Sequence, residues 1–238
     1  KSLEIAVVEP SDKHYYQPGW TMVGAGVFNK EDTVRETDTI WPSNVIRIKD
    51  EVTEFDPKNN KVTLSSKSEV GYDILIVAAG LKLDWDAIEG LSESLGKNGV
   101  TSNYRYDLAP YTWELVQELK GKDAIFTQPP MPIKCAGAPQ KAMYLSCDHW
   151  QKAGQLDNMN VSFCNAGPVL FGCATYVPPL MKYVEKYGIN LDFGHNLTKI
   201  DGASKKAWFT VKKEGEDTKT IERSFDMIHV CPPQRAPD

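Results

Sequence analysis

From residue 111 to residue 230 the chain alternates short apolar runs with amphipathic helical patterns, and this alternation restricts the fold more than any other feature. The apolar runs fall at 124–127, 160–164, 189–193 and 225–230, with helical spacing at 111–119, 138–150 and 175–187. Short apolar runs bounded by turn signals mark strands covered on both faces, and apolar residues recurring every three to four positions mark helices with one buried side. Strands alternating with helices fold as a parallel sheet, so the class is α/β. Residues 206–211 and 219–222 form a hairpin pattern across a polar loop at 214–217.

The first hundred residues repeat the logic less regularly. Residues 3–9, LEIAVVE, read as a buried parallel strand ending in Glu9. In dinucleotide-binding units a carboxylate at such a strand end accepts hydrogen bonds from ribose hydroxyls, and a glycine-rich turn lies roughly 20 residues before it. Residues 1–8 have no room for that turn. Strand patterns at 44–48, 52–55 and 62–64, the last two joined by a turn over 56–61, predict a small antiparallel β unit. Residues 71–80, GYDILIVAAG, read as a fully apolar strand ending on Gly80, where small residues leave space for a bulky ligand or allow close packing. Two strand–helix series in tandem predict two dinucleotide-binding-type domains.

Composition removes several function classes. The net charge of −5 and the absence of a dense Lys/Arg stripe argue against nucleic acid as a partner. No apolar run approaches the roughly 18 to 20 residues of a membrane-spanning helix. The chain opens directly on a strand, so no targeting segment can be read. The five cysteines, at 135, 147, 164, 173 and 231, contain no CxxC pair, and the histidines at 14, 149, 195 and 229 are scattered, so no metal site is expected. Cys147, Cys164 and Cys173 are expected to be small packed residues. The sequon-like Asn196-Leu197-Thr198 is expected to be accidental.

The stretch 123–150, DAIFTQPPMPIKCAGAPQKAMYLSCDHW, concentrates the chemistry. It runs strand, turn, helix, and such a turn presents ligands with the unpaired N–H groups of the helix start. Thiol–disulfide exchange runs through a thiolate, which helix N-termini and nearby lysines favour; Cys135 stands just ahead of the helix, between Lys134 and Lys141. A packed interior position for Cys135 is the competing reading, and the proline-rich loop before it opposes that. The same loop, at 128–134, occupies the place where a pyridine nucleotide's pyrophosphate would be held. Prolines lack the N–H needed there, so NADH and NADPH are not expected as electron donors.

The segments Val8-Glu9-Pro10-Ser11, Tyr16-Gln17-Pro18 with Trp20, Tyr72-Asp73 through Gly80, and above all Pro132-Ile133-Lys134-Cys135-Ala136-Gly137-Ala138-Pro139-Gln140-Lys141 resemble the sulfide:quinone oxidoreductases, in particular their mitochondrial-type branch. The resemblance covers essentially the whole chain, which looks like an internal piece of a longer protein. It implies two Rossmann-like domains of the FAD/NAD(P)-binding fold, the second inserted into the first. Residues 1–103 would be part of the FAD-binding domain, 104–230 the second domain carrying the redox cysteine, and 231–238 the return toward the first. It further implies FAD as cofactor, with Glu9 on its ribose, Gln17 near the flavin nucleotide, Val52 at the adenine through its backbone and Gly80 ending a strand beside it.

The same resemblance makes Cys135 the catalytic residue, cycling between disulfide and persulfide with a second cysteine expected beyond Asp238. Its implied reaction oxidises sulfide to sulfane sulfur and passes two electrons through FAD to a quinone. Sulfite, glutathione or a growing polysulfide would take the sulfur. Membrane attachment, at the mitochondrial inner membrane of a eukaryote or the cytoplasmic membrane of a bacterium, follows by analogy only, through segments outside the chain. Two other readings stay open: a quinone-reducing relative such as a type II NADH dehydrogenase, and a non-catalytic truncated α/β scaffold. The 238 residues alone are expected to be inactive and to bind FAD weakly.

Overall fold

The computed structural model describes residues 3–120, 122–212, 215 and 217–237. Two compact units result: the described residues of Lys1–Tyr16 with Glu31–Ala79, and Gln17–Lys30 with Gly80–Asp238.

In the first unit β1 (Ile5–Val8) pairs in parallel with β2 (Val45–Ile48), and β3 (Val52–Asp56), β4 (Lys61–Leu64) and β5 (Glu69–Gly71) form the expected antiparallel unit. Two sequence expectations fail here. The strand expected at 71–80 stops at Gly71; Ile74 and Ile76 are 79% and 84% exposed, and no strand among the described residues pairs with the run. β1 is parallel as expected but not buried, with Ile5 and Val7 at 40% and 41% exposure. The reason is common to both. An apolar run becomes a buried strand only when neighbouring strands take its N–H and C=O groups and a second layer covers its side chains.

The second unit supplies both. β6 (Val100–Thr101), α1 (Ala109–Glu118), β7 (Asp123–Gln128), α2 (Gly137–Lys152), β8 (Asn160–Asn165), α3 (Val177–Tyr187) and β9 (Asn190–Phe193) are followed by the antiparallel β10 (His195–Asp201), β11 (Lys206–Val211) and β12 (Lys219–Ser224), then by β13 (Met227–His229). The main sheet runs β9-β8-β7-β13-β6, all parallel, as the strand–helix alternation predicts. β6 pairs with β13, and residues 80–103 belong to this compact unit. Of the loop expected at 214–217, Glu214 and Glu216 lie outside the described residues.

Strand geometry explains the all-apolar runs. Successive side chains point to opposite faces, and both faces of this sheet are covered. Ala124, Phe126, Val161, Phe163 and Met227 pack under the helices with Val116, Met143, Cys147 and Trp150. Ile125, Cys164, Ile228 and Val230 pack on the other side with Leu197, Phe209 and Val211 of the antiparallel sheet. The Trp150 indole N–H donates to the Val116 carbonyl at 2.8 Å, tying α2 to α1. Pro139 stands in the first turn of α2, where a missing N–H costs nothing, and α3 ends on Gly188 at φ +62°, a left-handed cap that glycine adopts without strain.

Candidate functional site

The order β7-β13-β6 brings the carboxyl ends of three parallel strands to one edge of the sheet, where such folds bind ligands. β7 leads into the proline-rich loop and Cys135, β13 into Cys231, and β6 into Ser102, Asn103 and Tyr104. Residues from two of these strand ends, with Gln17–Thr21, line an open cleft: Gln17, Trp20, Asn103, Tyr104, Lys134 and Cys135 are on its wall.

Cys135 is exposed and adopts φ +60°, and its carbonyl accepts the Ala138 N–H at 2.8 Å at the start of α2. Lys134 before it is tied at both ends. Its N–H donates to Gln234 Oε1, and its carbonyl accepts the Tyr104 hydroxyl at 3.2 Å. Burial pushes the Tyr104 phenol well above its ordinary range, and the nearby Cys231 and Cys135 thiols push the same way, so it remains a hydrogen-bond donor. Cys231 is buried, its thiol pushed up to about 12 by burial, against the opposing pull of hydrogen bonds from Tyr104 and Gln234. Gln234 Nε2 stands 3.8 Å from the Cys231 Sγ. Such a thiol is inert in exchange chemistry, which divides the two cysteines at this edge into one available and one withheld.

Behind the cleft, His229 on β13 is fully buried, stacked on Phe126 at 5.9 Å between ring centroids, and held down to about 4 by burial. Its Nε2 accepts the Asn103 N–H at 2.9 Å, which puts the ring proton on Nδ1. The Asn103 side chain is 7% exposed, and neither its Oδ1 nor its Nδ2 has a partner among the described residues. A Cβ on Gly24 would stand 2.3 Å from that Oδ1, so glycine is what lets the amide lie there.

Of the residues singled out in the sequence, Gln17 and Cys135 share the cleft. Gly80 lies in the same unit at φ +75°, exposed, and does not line the cleft. Glu9 and Val52 belong to the first unit. Glu9 follows β1, donates its N–H to the Ile48 carbonyl at 3.0 Å and accepts the Ser11 N–H on Oε1 at 2.7 Å; Val52 opens β3. Cys147 and Cys164 are buried as expected, but Cys173 is exposed, just ahead of the short helix Ala174–Tyr176. Sequence reasoning missed Tyr104, Gln234 and His229. The strand that holds His229 and precedes Gln234 was readable at 225–230, but the short strand ahead of Tyr104 was not, nor was which strand ends are neighbours. Among the described residues no cluster of His, Cys, Asp or Glu suited to a metal ion occurs.

No family model matches the chain. A mitochondrial sulfide:quinone oxidoreductase of Dictyostelium discoideum is 44% identical over 231 residues, covering 97% of this chain and 50% of the relative. That of Mus musculus is 38% identical over 234 residues, covering 98% and 52%. This chain is homologous to about half of a sulfide:quinone oxidoreductase. It spans about half the length of the curated relatives it matches. Among solved structures, the sulfide:quinone oxidoreductase of Aquifex aeolicus aligns with a TM-score of 0.77 at 19% identity, over 98% of this chain and 53% of that one. A chain in the structure of the Tetrahymena thermophila mitochondrial ATP synthase aligns at 0.80 and 19% identity, over 98% and 57%. At such identities the likeness establishes the fold, an α/β fold of the Rossmann type.

Proposed function

We propose that this chain carries the sulfide-oxidising thiol and part of the flavin site of a sulfide:quinone oxidoreductase. The observation that carries the reading is Cys135: an exposed cysteine at the ligand-binding edge of a parallel sheet, on the wall of an open cleft, in a chain homologous to proteins of that name. Residues 1–103 are read as part of the FAD-binding domain, 104–230 as the second Rossmann-like domain, and 231–238 as the return. Glu9, Val52, Gln17 and Gly80 are read as contacts to FAD.

The residues present fit a planar group with hydrogen-bonding edges in the Cys135 cleft, because Gln17, Asn103, Tyr104 and Lys134 line it beside the Trp20 ring. FAD, when bound, supplies the two-electron acceptor. The chain's own part begins with a disulfide between Cys135 and a second cysteine that we place outside these residues. Hydrosulfide attacks it, leaving the added sulfur as a persulfide on one cysteine and releasing the other as a thiolate, so that one S–S bond replaces another. From Cys135, exposed on the cleft wall, the sulfur passes in this reading to an acceptor such as sulfite, glutathione or polysulfide, and a quinone takes the electrons. The mitochondrial names of the relatives favour a mitochondrial location, with attachment to the inner membrane as the finer reading. Among the described residues no helix is long and apolar enough to cross a membrane.

Cys135→Ser in the full-length protein tests the reading. Sulfide-dependent quinone reduction should fall to background while FAD remains bound at the wild-type ratio. Turnover at the wild-type rate would refute the role of Cys135.

A further inference from the structure

Five described residues other than glycine have positive φ, and four of them, Asn60, Lys67, Asn98 and Lys205, lie in tight turns that impose it. Cys135 is the fifth, at φ +60° where the proline-rich loop turns into α2. An L-residue there is strained, and such strain persists only where the surroundings over-determine it. What over-determines it is the pair of hydrogen bonds on the preceding residue: Gln234 Oε1 on the Lys134 N–H, and the Tyr104 hydroxyl on the Lys134 carbonyl at 3.2 Å. The carbonyl of Cys135 is fixed in turn by the Ala138 N–H.

We propose that Tyr104 and Gln234 are positioning residues, a two-armed clamp on the Lys134 backbone that holds Cys135 left-handed and sets the direction of its thiol. The arms are rooted outside the loop they hold. Tyr104 follows β6, and Gln234 follows β13 and is fixed by antiparallel pairing with Leu83 and by near-complete burial. The backbone of the reactive residue is therefore set by the neighbouring strands. Exchange at a disulfide needs three sulfurs nearly in line, so a thiol free to turn loses rate without losing affinity for its partner.

The inference rests on the role proposed for Cys135, and its test has two arms. In the chain itself, Gln234→Met, which keeps the side chain's length and removes its acceptor, should speed hydrogen exchange of the Lys134 amide at least about tenfold, while amides of β7 and β8 stay protected. In the full-length enzyme, Tyr104→Phe and Gln234→Met should lower kcat for sulfide about tenfold, with the KM for sulfide and the flavin content unchanged. Gln234→Glu, which restores an acceptor, should recover most of the loss. Unchanged exchange at Lys134 would overturn the clamp. Faster exchange with unchanged kcat, or a fall in kcat that tracks lost flavin, would overturn the positioning role. A wild-type enzyme inactive on sulfide would refute the proposed function instead, with the clamp still decided by exchange.

Discussion

The runs at 74–79 and 124–127 are nearly the same in sequence character, and they end in opposite structural states. Phe126 is fully buried in the centre of a five-stranded sheet, whereas Ile76 is 84% exposed in a segment with no regular structure. Hydrophobicity selects residues that gain from burial, but the gain is realised only when strands and layers stand on every side. In the second unit α1, α2 and the β10–β12 sheet provide those layers. Within the first unit, β1 and β2 pair only with each other among the described residues.

The contrast can be broken most sharply at Trp150, which fills the helix side of the sheet and bonds α2 to α1. Trp150→Ala should cost about 3–5 kcal/mol of unfolding free energy by denaturant titration. A loss below about 1 kcal/mol would mean that the second unit is not packed as described.

Next in size is a pH effect confined to the buried sheet. Burial holds His229 down to about 4, against 6.5 for the free side chain. Between those values the unfolded chain binds a proton that the folded chain refuses. Stability contributed by the neutral ring is therefore complete above about pH 6.5 and is lost as pH falls toward 4, by about 3 kcal/mol in all. Chemical denaturation from pH 7 to pH 4.5 should show this slope, and His229→Gln should flatten it; an equal slope in the variant would place the titrating group elsewhere. Smallest should be Ile76→Ser, which in this chain removes nothing that is packed and should change stability by less than about 0.5 kcal/mol. A loss as large as that of Trp150→Ala would show that 74–79 is covered after all.

What could be read from sequence follows the same division. Strands β7 to β9 and helices α1 to α3 came out within a few residues of their observed bounds, because their apolar periodicity is local and their partners lie within this chain. The segment at 71–80 failed because the missing information was its neighbours. At the site, Cys135 was legible from a specific local stretch. Tyr104 and Gln234 were not, since they reach Lys134 across 30 and 100 residues of sequence, through the lateral order of β6, β13 and β7. His229 likewise acquires its low pKa from the layers that bury it, and the letter His carries no sign of that.

In the role proposed for Cys135, a thiol serves where the turn filled by Pro129, Pro130 and Pro132 would otherwise hold a pyridine nucleotide. Anaerobic mixing of the full-length protein with sulfide or with NADH, followed by flavin absorbance, tests it most directly. The account predicts rapid bleaching by sulfide, lost in Cys135→Ser, and negligible bleaching by NADH. Rapid reduction by NADH, or reduction by sulfide that survives Cys135→Ser, would contradict it.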